Sequence, residues 1–180
     1  MKVDEVRRLA TLANKVRKGQ EHDVWEFHES NPKVVIRRTR GGGYGLRDRA
    51  PSEYFDRWRI SNAAFPDTAV TLIGYTKDSR GNGVILTAQR YFEGMKRDQK
   101  AIDAAFGKLG YERMKGGEPS YRHPETKVEI YDAKPDNIIF DKAGNMMPFD
   151  VWINDPYNHF ELAESHSGEA PDANPSTGTP

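Results

Sequence analysis

Four ionic or polar residues stand between apolar runs in residues 128–153: Asp132, Lys134, Asn137 and Asp150. Asn137 follows Asp132 by five positions, and Asp150 follows Asn137 by thirteen. The surrounding apolar runs are typical of short buried strands. Because Asp is depleted in strands, an Asp at the end of such a run favours a functional role. The alternative is ordinary turn chemistry, since Asp, Pro and Asn all favour turns.

The charge distribution is compatible with a site that holds ions. Residues 1–60 contain 14 Lys and Arg against 9 Asp and Glu, whereas residues 121–180 contain 4 against 11. A basic front half suits an anionic ligand, and an acidic back half suits cations. The other interpretation is two solvated faces of opposite sign.

The composition excludes several classes of protein. The chain has 180 residues and no cysteine, so disulfides, thiolate chemistry and cysteine-ligated zinc are excluded. It contains no run of 18 apolar residues, which predicts no membrane span. The charged N-terminal sequence M-K-V-D-E-V-R-R-L-A lacks the apolar stretch of a signal peptide, so we expect a cytoplasmic protein with no membrane partner.

The pattern of apolar residues predicts the elements that position the polar set. Helical spacing predicts helices over residues 2–18, 51–64 and 97–109. Alternation and β-branched residues predict strands over residues 23–28, 33–39, 69–76 and 84–89, followed by short strands around the acidic segment. The fold class is therefore α+β.

Two stretches lie outside these elements. The Gly-rich sequence R-G-G-G-Y-G at residues 40–45 lacks the spacing of a phosphate-binding P-loop, which favours a plain connector. Residues 163–180 are rich in Glu, Ser, Gly and Pro, and this composition predicts a disordered tail.

The spacing of the polar set resembles that of protein kinases, in which an Asp, an Asn five residues later and an Asp after a hairpin follow in order. The chain more closely resembles the compact serine/threonine/tyrosine-kinase-like domains of polyvalent proteins from phages and mobile elements. The resembling stretches are G-Q-E-H-D-V-W, V-V-I-R-R-T-R-G-G-G-Y-G, P-S-E-Y-F-D-R-W-R-I-S-N, L-T-A-Q-R-Y-F-E-G, F-G-K-L-G-Y-E, D-A-K-P-D-N and P-F-D.

The resemblance implies roles for the polar set in ATP- and Mg²⁺-dependent phosphoryl transfer to an unknown hydroxyl acceptor, a protein or a small molecule. Asp132 would accept the proton of the attacking hydroxyl, and Lys134 would steady the γ-phosphate. Asn137 and Asp150 would hold Mg²⁺, a hard cation that prefers oxygen ligands.

The resemblance also implies a set of nucleotide-binding residues in the first half of the chain. Arg37 falls where kinases carry a strand Lys that contacts the α- and β-phosphates, and Glu53 is the helix carboxylate that would pair with it. Gly19 and the following hairpin would cover the nucleotide. Residues 86–91, including Gln89, would form the adenine-binding hinge.

The implied architecture is a minimal two-lobed kinase-like fold with a small antiparallel-sheet lobe, a hinge and a truncated C-terminal lobe. Its parts are an N-terminal helix at residues 1–18, a small lobe at about 19–90, a large lobe at about 91–162 and the tail. Arg in place of Lys at position 37, together with the short large lobe, leaves a second hypothesis open: an inactive nucleotide-binding or protein-interaction module. Nucleic-acid binding is not favoured, because no aromatic residues are interleaved among the arginines at positions 37, 38 and 40.

Overall fold

The computed structural model describes residues 15–18, 22–27, 33–40 and 50–160. Five strands form an antiparallel sheet with the order β1-β2-β3-β5-β4. These strands are β1 (Lys15–Lys18), β2 (His22–Phe27), β3 (Val34–Thr39), β4 (Val70–Lys77) and β5 (Gly83–Arg90). Helix α1 (Pro51–Ala64) and a short 3₁₀ helix (Pro66–Thr68) lie between β3 and β4 in the chain.

The second half of the described chain is built from short strands and one helix, α2 (Gln99–Lys108). A four-stranded antiparallel sheet has the order β11-β8-β7-β6, and a hairpin pairs β9 with β10. The strands are β6 (Glu112–Arg113), β7 (Tyr121–Arg122), β8 (Glu129–Tyr131), β9 (Ile138–Phe140), β10 (Met146–Pro148) and β11 (Trp152–Asn154). The predicted α+β class is confirmed.

Helix α1 begins with Pro51, whose fixed φ suits the first helical turn. Tyr54 and Trp58, four residues apart, form its buried face, and they pack against Val70 and Ile85 of the five-stranded sheet. The helix ends at Ala64, just before Phe65-Pro66, because the residue before a proline disfavours helical geometry.

Helix α2 begins after Asp98, whose carboxylate accepts a hydrogen bond from the Ala101 amide at 2.9 Å. Ile102 and Phe106 form its buried face, and they belong to a core built with residues of β7, β8, β9 and β11. Gly110, with a φ of 84°, follows the helix in the left-handed conformation that glycine adopts readily. Residues 128–153 supply most of the other members of this core.

The structure corrects two predicted boundaries. Residues 15–18 form β1, paired with β2, rather than the end of a helix over residues 1–18. Residues 86–90 belong to β5, so the segment between β5 and α2 begins at Tyr91 rather than at residue 86. Residues 1–14, Gly19, residues 41–49 and the predicted tail lie outside the described residues. None of the helices in the described ranges is long and apolar enough to cross a membrane.

Candidate functional site

A tight turn between β8 and β9 holds the first three residues of the polar set. Asp132 directly follows β8 and has a φ of 56°, in the left-handed region that Asp tolerates better than most side chains. The Asn137 amide then donates to the Lys134 carbonyl at 2.9 Å and closes the turn. The backbone strain at Asp132 is therefore confined to the residue whose carboxylate points into the site.

The Asn137 side chain fixes this conformation. Its Nδ2 donates to both the backbone carbonyl and the carboxylate Oδ2 of Asp132, each at 2.8 Å. Because both donations use Nδ2, the amide oxygen Oδ1 is left as the free end of the group. Asn137 is only 7% exposed, and Oδ1 accepts no hydrogen bond from the described residues. A carboxamide oxygen with no donor is suited to a cation.

Lys134 lies on the solvent side of the same turn. Its Nζ is 2.8 Å from Asp132 Oδ1, with the two side chains 46% and 35% exposed. The hydrogen bond to Asp132 is the main cause that raises the pKa of the Lys134 ammonium. Because the pair is partly exposed, its stabilisation of the fold is small, about 1 kcal/mol or less. The main effect of the ion pair is therefore to orient the Asp132 carboxylate, and its contribution to stability is small.

The β9–β10 hairpin carries Asp150 back to this turn. Its register pairs Pro148 with Ile138, and the Phe149 amide extends the pairing by donating to the Asn137 carbonyl at 3.0 Å. Asp150 therefore follows a residue bonded directly to Asn137. Its side chain is exposed, and among the described residues its carboxylate forms no hydrogen bond or ion pair. The hairpin thus puts an unpaired carboxylate on the residue that directly follows Phe149, whose amide bonds to the Asn137 backbone.

These donors fit a magnesium ion. Mg²⁺ keeps several waters and takes one or two protein carboxylates together with substrate phosphates, so a complete protein cage is not required. No group of three or more His, Asp and Glu side chains that could hold a metal occurs in the described parts of the chain. Among the described site residues, Asn137 and Asp150 carry the two oxygen groups without donors, and Asn137 is bonded to Asp132.

Arg37 reaches the same place from β3. Its Nη2 donates to Gln89 Oε1 at 2.6 Å and to the Phe149 carbonyl at 3.4 Å, and the guanidinium carbon lies 5.4 Å from the centre of the Trp58 ring. A continuous path of contacts therefore joins Arg37, Phe149, Asn137 and Asp132. The structure joins a cation, an amide and one carboxylate from segments that lie far apart in the chain, and Asp150 directly follows Phe149.

A family model of serine/threonine/tyrosine kinases found in polyvalent proteins matches residues 5–154. The chain belongs to this kinase family. Searches of curated proteins and of solved structures found no match.

In this kinase-family chain, the structure does not bring Glu53 to Arg37, with which it was predicted to pair. Glu53 is exposed in the first turn of α1, where its Oε2 accepts a hydrogen bond from the Ala50 amide at 3.3 Å. The buried face of α1 is set by Tyr54 and Trp58, and a neighbouring residue points about 100° away from that face. Trp58, rather than Glu53, therefore faces Arg37.

Gln89 has a different position from the one predicted for a hinge residue. It lies within β5 and is 4% exposed, with Oε1 bonded to Arg37 and Nε2 donating to the Thr68 carbonyl. Both ends of its amide are thus used by the protein. Gln89 lies in the site, but it contacts Arg37 rather than an open nucleotide pocket.

His22 and Tyr54 are site neighbours that sequence reasoning missed. His22 Nε2 lies 3.1 Å from the Tyr54 hydroxyl beneath the sheet. Burial, followed by the nearby charges of Arg37 and Arg57, lowers the pKa of His22 to about 3. His22 is therefore neutral at physiological pH and adds no positive charge beside Arg37. The alternation of β2 could have indicated that His22 is buried, but not that Tyr54 is its partner.

The segment that joins β5 to α2 borders a cavity of about 420 Å³. The lining residues come from the start of β3, this segment and the β9–β10 hairpin: Lys33, Arg90, Tyr91, Phe92, Glu93, Asp141 and Met147. The segment is held on both sides, because the Tyr91 amide donates to the Lys33 carbonyl and Met95 exchanges two backbone hydrogen bonds with Phe140. The connection between the two halves of the site is therefore fixed by backbone contacts.

Proposed function

We propose that the protein is an ATP- and Mg²⁺-dependent phosphotransferase with a minimal two-lobed kinase-like fold. The five-stranded sheet with α1 forms the small lobe, and the remaining short strands with α2 form a truncated large lobe. One observation carries the proposal: Asn137 bonds to Asp132 on one side and to Phe149, the neighbour of Asp150, on the other. These bonds support a unit in which a general base and two metal ligands would act together, as phosphoryl transfer requires.

Asp132 acts as the general base in this proposal. The acceptor hydroxyl oxygen attacks the γ-phosphorus, the bond from that phosphorus to the β,γ-bridging oxygen breaks, and ADP leaves. The hydroxyl proton passes to Asp132, whose carboxylate is oriented by Asn137 Nδ2 and Lys134 Nζ. The left-handed backbone at Asp132 keeps this carboxylate at the end of β8, between Asn137 and Lys134.

Electrostatic stabilisation of the transferring phosphate supplies most of the rate acceleration beyond proton transfer. Mg²⁺, when bound, neutralises charge on the transferring phosphate. Asn137 Oδ1 and Asp150 would hold it, Lys134 would contact the γ-phosphate, and Arg37 would contact the α- and β-phosphates. Arg presents a planar fork of donors rather than the compact ammonium of Lys, and this fork suits bidentate contact with phosphate oxygens.

The enzymatic proposal is tested with labelled ATP, Mg²⁺ and a panel of hydroxyl acceptors. We expect Asp132→Ala and Asp150→Ala each to lower transfer by at least about 100-fold, because the first removes the general base and the second removes a ligand of the metal that stabilises the transferring charge. Asp136→Ala is the matched control, because Asp136 lies in the same turn but is exposed and paired with Lys96 at 2.5 Å. Equal inertness of the wild type and all three variants would contradict the enzymatic proposal.

A second candidate is an inactive nucleotide-binding or protein-interaction module. The observation that favours it is the engagement of Arg37, whose Nη2 is already shared between Gln89 and Phe149. Titration with ATP and Mg²⁺ separates the candidates, since a binding module is stabilised against heat by the nucleotide without consuming it.

A further inference from the structure

Arg37 is held by a neutral side chain from the neighbouring strand. The β3–β5 register pairs Val35 with Gln89 and Arg37 with Thr87, so Gln89 lies diagonally across from Arg37. The amide of Gln89 is fixed at both ends, with Nε2 on the Thr68 carbonyl and Oε1 on Arg37 Nη2. Because the amide cannot rotate without losing one of these bonds, its oxygen is a defined acceptor for the guanidinium.

The surroundings of Arg37 leave its charge uncompensated. Arg37 is 8% exposed, and in the described parts of the chain no carboxylate forms an ion pair with it. Its Nη1 is buried without a hydrogen-bond partner. His22 beside it is neutral, and Arg57 carries a like charge. A buried cation without a counter-ion is costly, so the arrangement favours the arrival of an anion.

We propose that Gln89 and Trp58 are the positioning residues of Arg37, and that they replace a carboxylate on α1 in this role. The inference rests on the proposed function, in which the anion is the polyphosphate of a nucleotide. Gln89 accepts one guanidinium N–H, and the Trp58 ring covers a face of the group at 5.4 Å. Neither partner carries a negative charge, so the full positive charge of Arg37 is available to phosphate.

The residue that positions Arg37 determines whether a movement of α1 can control phosphate binding. In protein kinases, an ion pair between the strand Lys and a helix Glu must form, and the position of that helix controls activity. Here the hydrogen-bonding partner of Arg37 belongs to the same sheet, and β3 is joined to β5 by backbone hydrogen bonds. A shift of α1 would move the Trp58 ring but would leave the bond from Arg37 to Gln89 intact. The phosphate-binding position of Arg37 is therefore formed independently of Glu53.

The test compares ATP with adenosine, which lacks phosphates, as ligands that stabilise the protein against heat. We expect Gln89→Met to weaken ATP binding by about tenfold, roughly one charge-assisted hydrogen bond, and to leave adenosine binding unchanged. Glu53→Gln should alter neither affinity by more than about twofold, since Glu53 does not contact Arg37. Loss of the preference for ATP in Glu53→Gln, with the preference retained in Gln89→Met, would overturn the inference.

A measurement without ligand separates this inference from the proposed function. In the wild type and in Glu53→Gln, NMR signals of the Arg37 guanidinium should show slow rotation, because Gln89 holds Nη2. Gln89→Met should speed the rotation, whereas Gln89→Glu should keep it slow while weakening ATP binding, since a carboxylate accepts the same bond but neutralises the charge. Rapid rotation in the wild type would overturn the positioning role. Slow rotation together with no ATP binding would contradict the proposed function and confirm the positioning of Arg37 by Gln89.

Discussion

The turn that begins at Asp132 and the turn that begins at Asp141 lie in the same segment, and each pairs an Asp with a following Asn. In the second turn, the Asp141 carboxylate accepts from both the amide and the side chain of Asn145, at 2.8 and 2.9 Å. Gly144 supplies the left-handed residue, with a φ of 87°. The sequence D-x-x-G-N recurs at residues 78–82 with the same pattern of hydrogen bonds. These are complete hairpin turns with their bonds satisfied internally.

The turn that begins at Asp132 differs from these turns in two respects: the residue that takes the strained backbone conformation and the oxygen atoms that accept no hydrogen bond. Asp132 itself takes the left-handed conformation, although it is not a glycine. Asn137 directs both Nδ2 donations back to Asp132 and leaves Oδ1 without a donor, and the carboxylate of Asp150 is likewise unpaired among the described residues. The same residue types therefore build a turn with its bonds satisfied in one place and a turn with unpaired oxygens in the other. Backbone strain at the residue that we propose as the general base points to function.

The largest difference between the two turns is expected when each Asn is truncated. Asn137→Ala should lower phosphoryl transfer by at least about 100-fold, because in the proposed function it removes a metal ligand and the donor that orients the general base. Asn145→Ala should change transfer by less than about twofold, since it alters only a hairpin turn. Initial rates with labelled ATP across a magnesium titration measure both effects.

A matching loss of activity in the two variants would remove the distinction between them. Unfolding in urea provides the control for folding, because Asn137→Ala also removes two hydrogen bonds from a buried amide. A loss of about 1–3 kcal/mol in the free energy of unfolding is expected from these bonds, and activity should therefore be compared at temperatures where both variants are folded.

The local half of the site could be predicted from the sequence for a physical reason. Asp132, Asn137 and Asp150 are separated by one turn and one hairpin, and turn propensity with strand alternation determines how such short segments fold. The contact of Asn137 with Phe149 follows from the hairpin register alone. The roles assigned to these residues remain predictions for the proposed experiments.

The position of Arg37 in the site depends on long-range contacts that no local sequence pattern contains. Arg37 bonds to Gln89 and to Phe149, which lie 52 and 112 positions away in the chain. The partner of Arg37 on α1 is decided by which helix face packs on the sheet, and burial of Tyr54 and Trp58 turns Glu53 outward. The predicted helix over residues 1–18 was wrong at residues 15–18 for the same reason, since pairing with β2 prevails over local helical spacing.

The backbone difference between the turns predicts opposite responses to glycine. At position 132, Gly should be more stable than Ala by about 0.5–1 kcal/mol, because Ala in the left-handed region costs about 1–2 and the entropy of Gly costs about 0.5–1. At position 141, where φ is not positive, Ala should be more stable than Gly by about 0.5–1 kcal/mol. Urea unfolding of the four variants measures these differences, and both substitutions at each position remove the same carboxylate. The same preference at both positions would show that Asp132 is not strained.

The smallest expected effect is electrostatic. The turn at Asp141 should lose stabilisation at acid pH, whereas the turn at Asp132 should lose it at alkaline pH. Hydrogen bonds led by the Asn145 side chain lower the pKa of Asp141 from its ordinary value of 3.8, so their stabilisation is present above that pH and is lost as the pH falls through the folded-state pKa. The bond to Asp132 raises the pKa of Lys134 above 10.5, so its stabilisation is present below that pH and is lost as the pH rises through the folded-state pKa.

NMR titration of the two groups tests this arrangement. Asn145→Ala should raise the pKa of Asp141 towards 3.8, and Asp132→Asn should lower the pKa of Lys134 towards 10.5. An unchanged pKa of Lys134 in Asp132→Asn would show that the ion pair does not persist in solution. Asp132 would then be oriented by Asn137 alone, and the two turns would differ in backbone conformation and in the free oxygen of Asn137 but not in charge pairing.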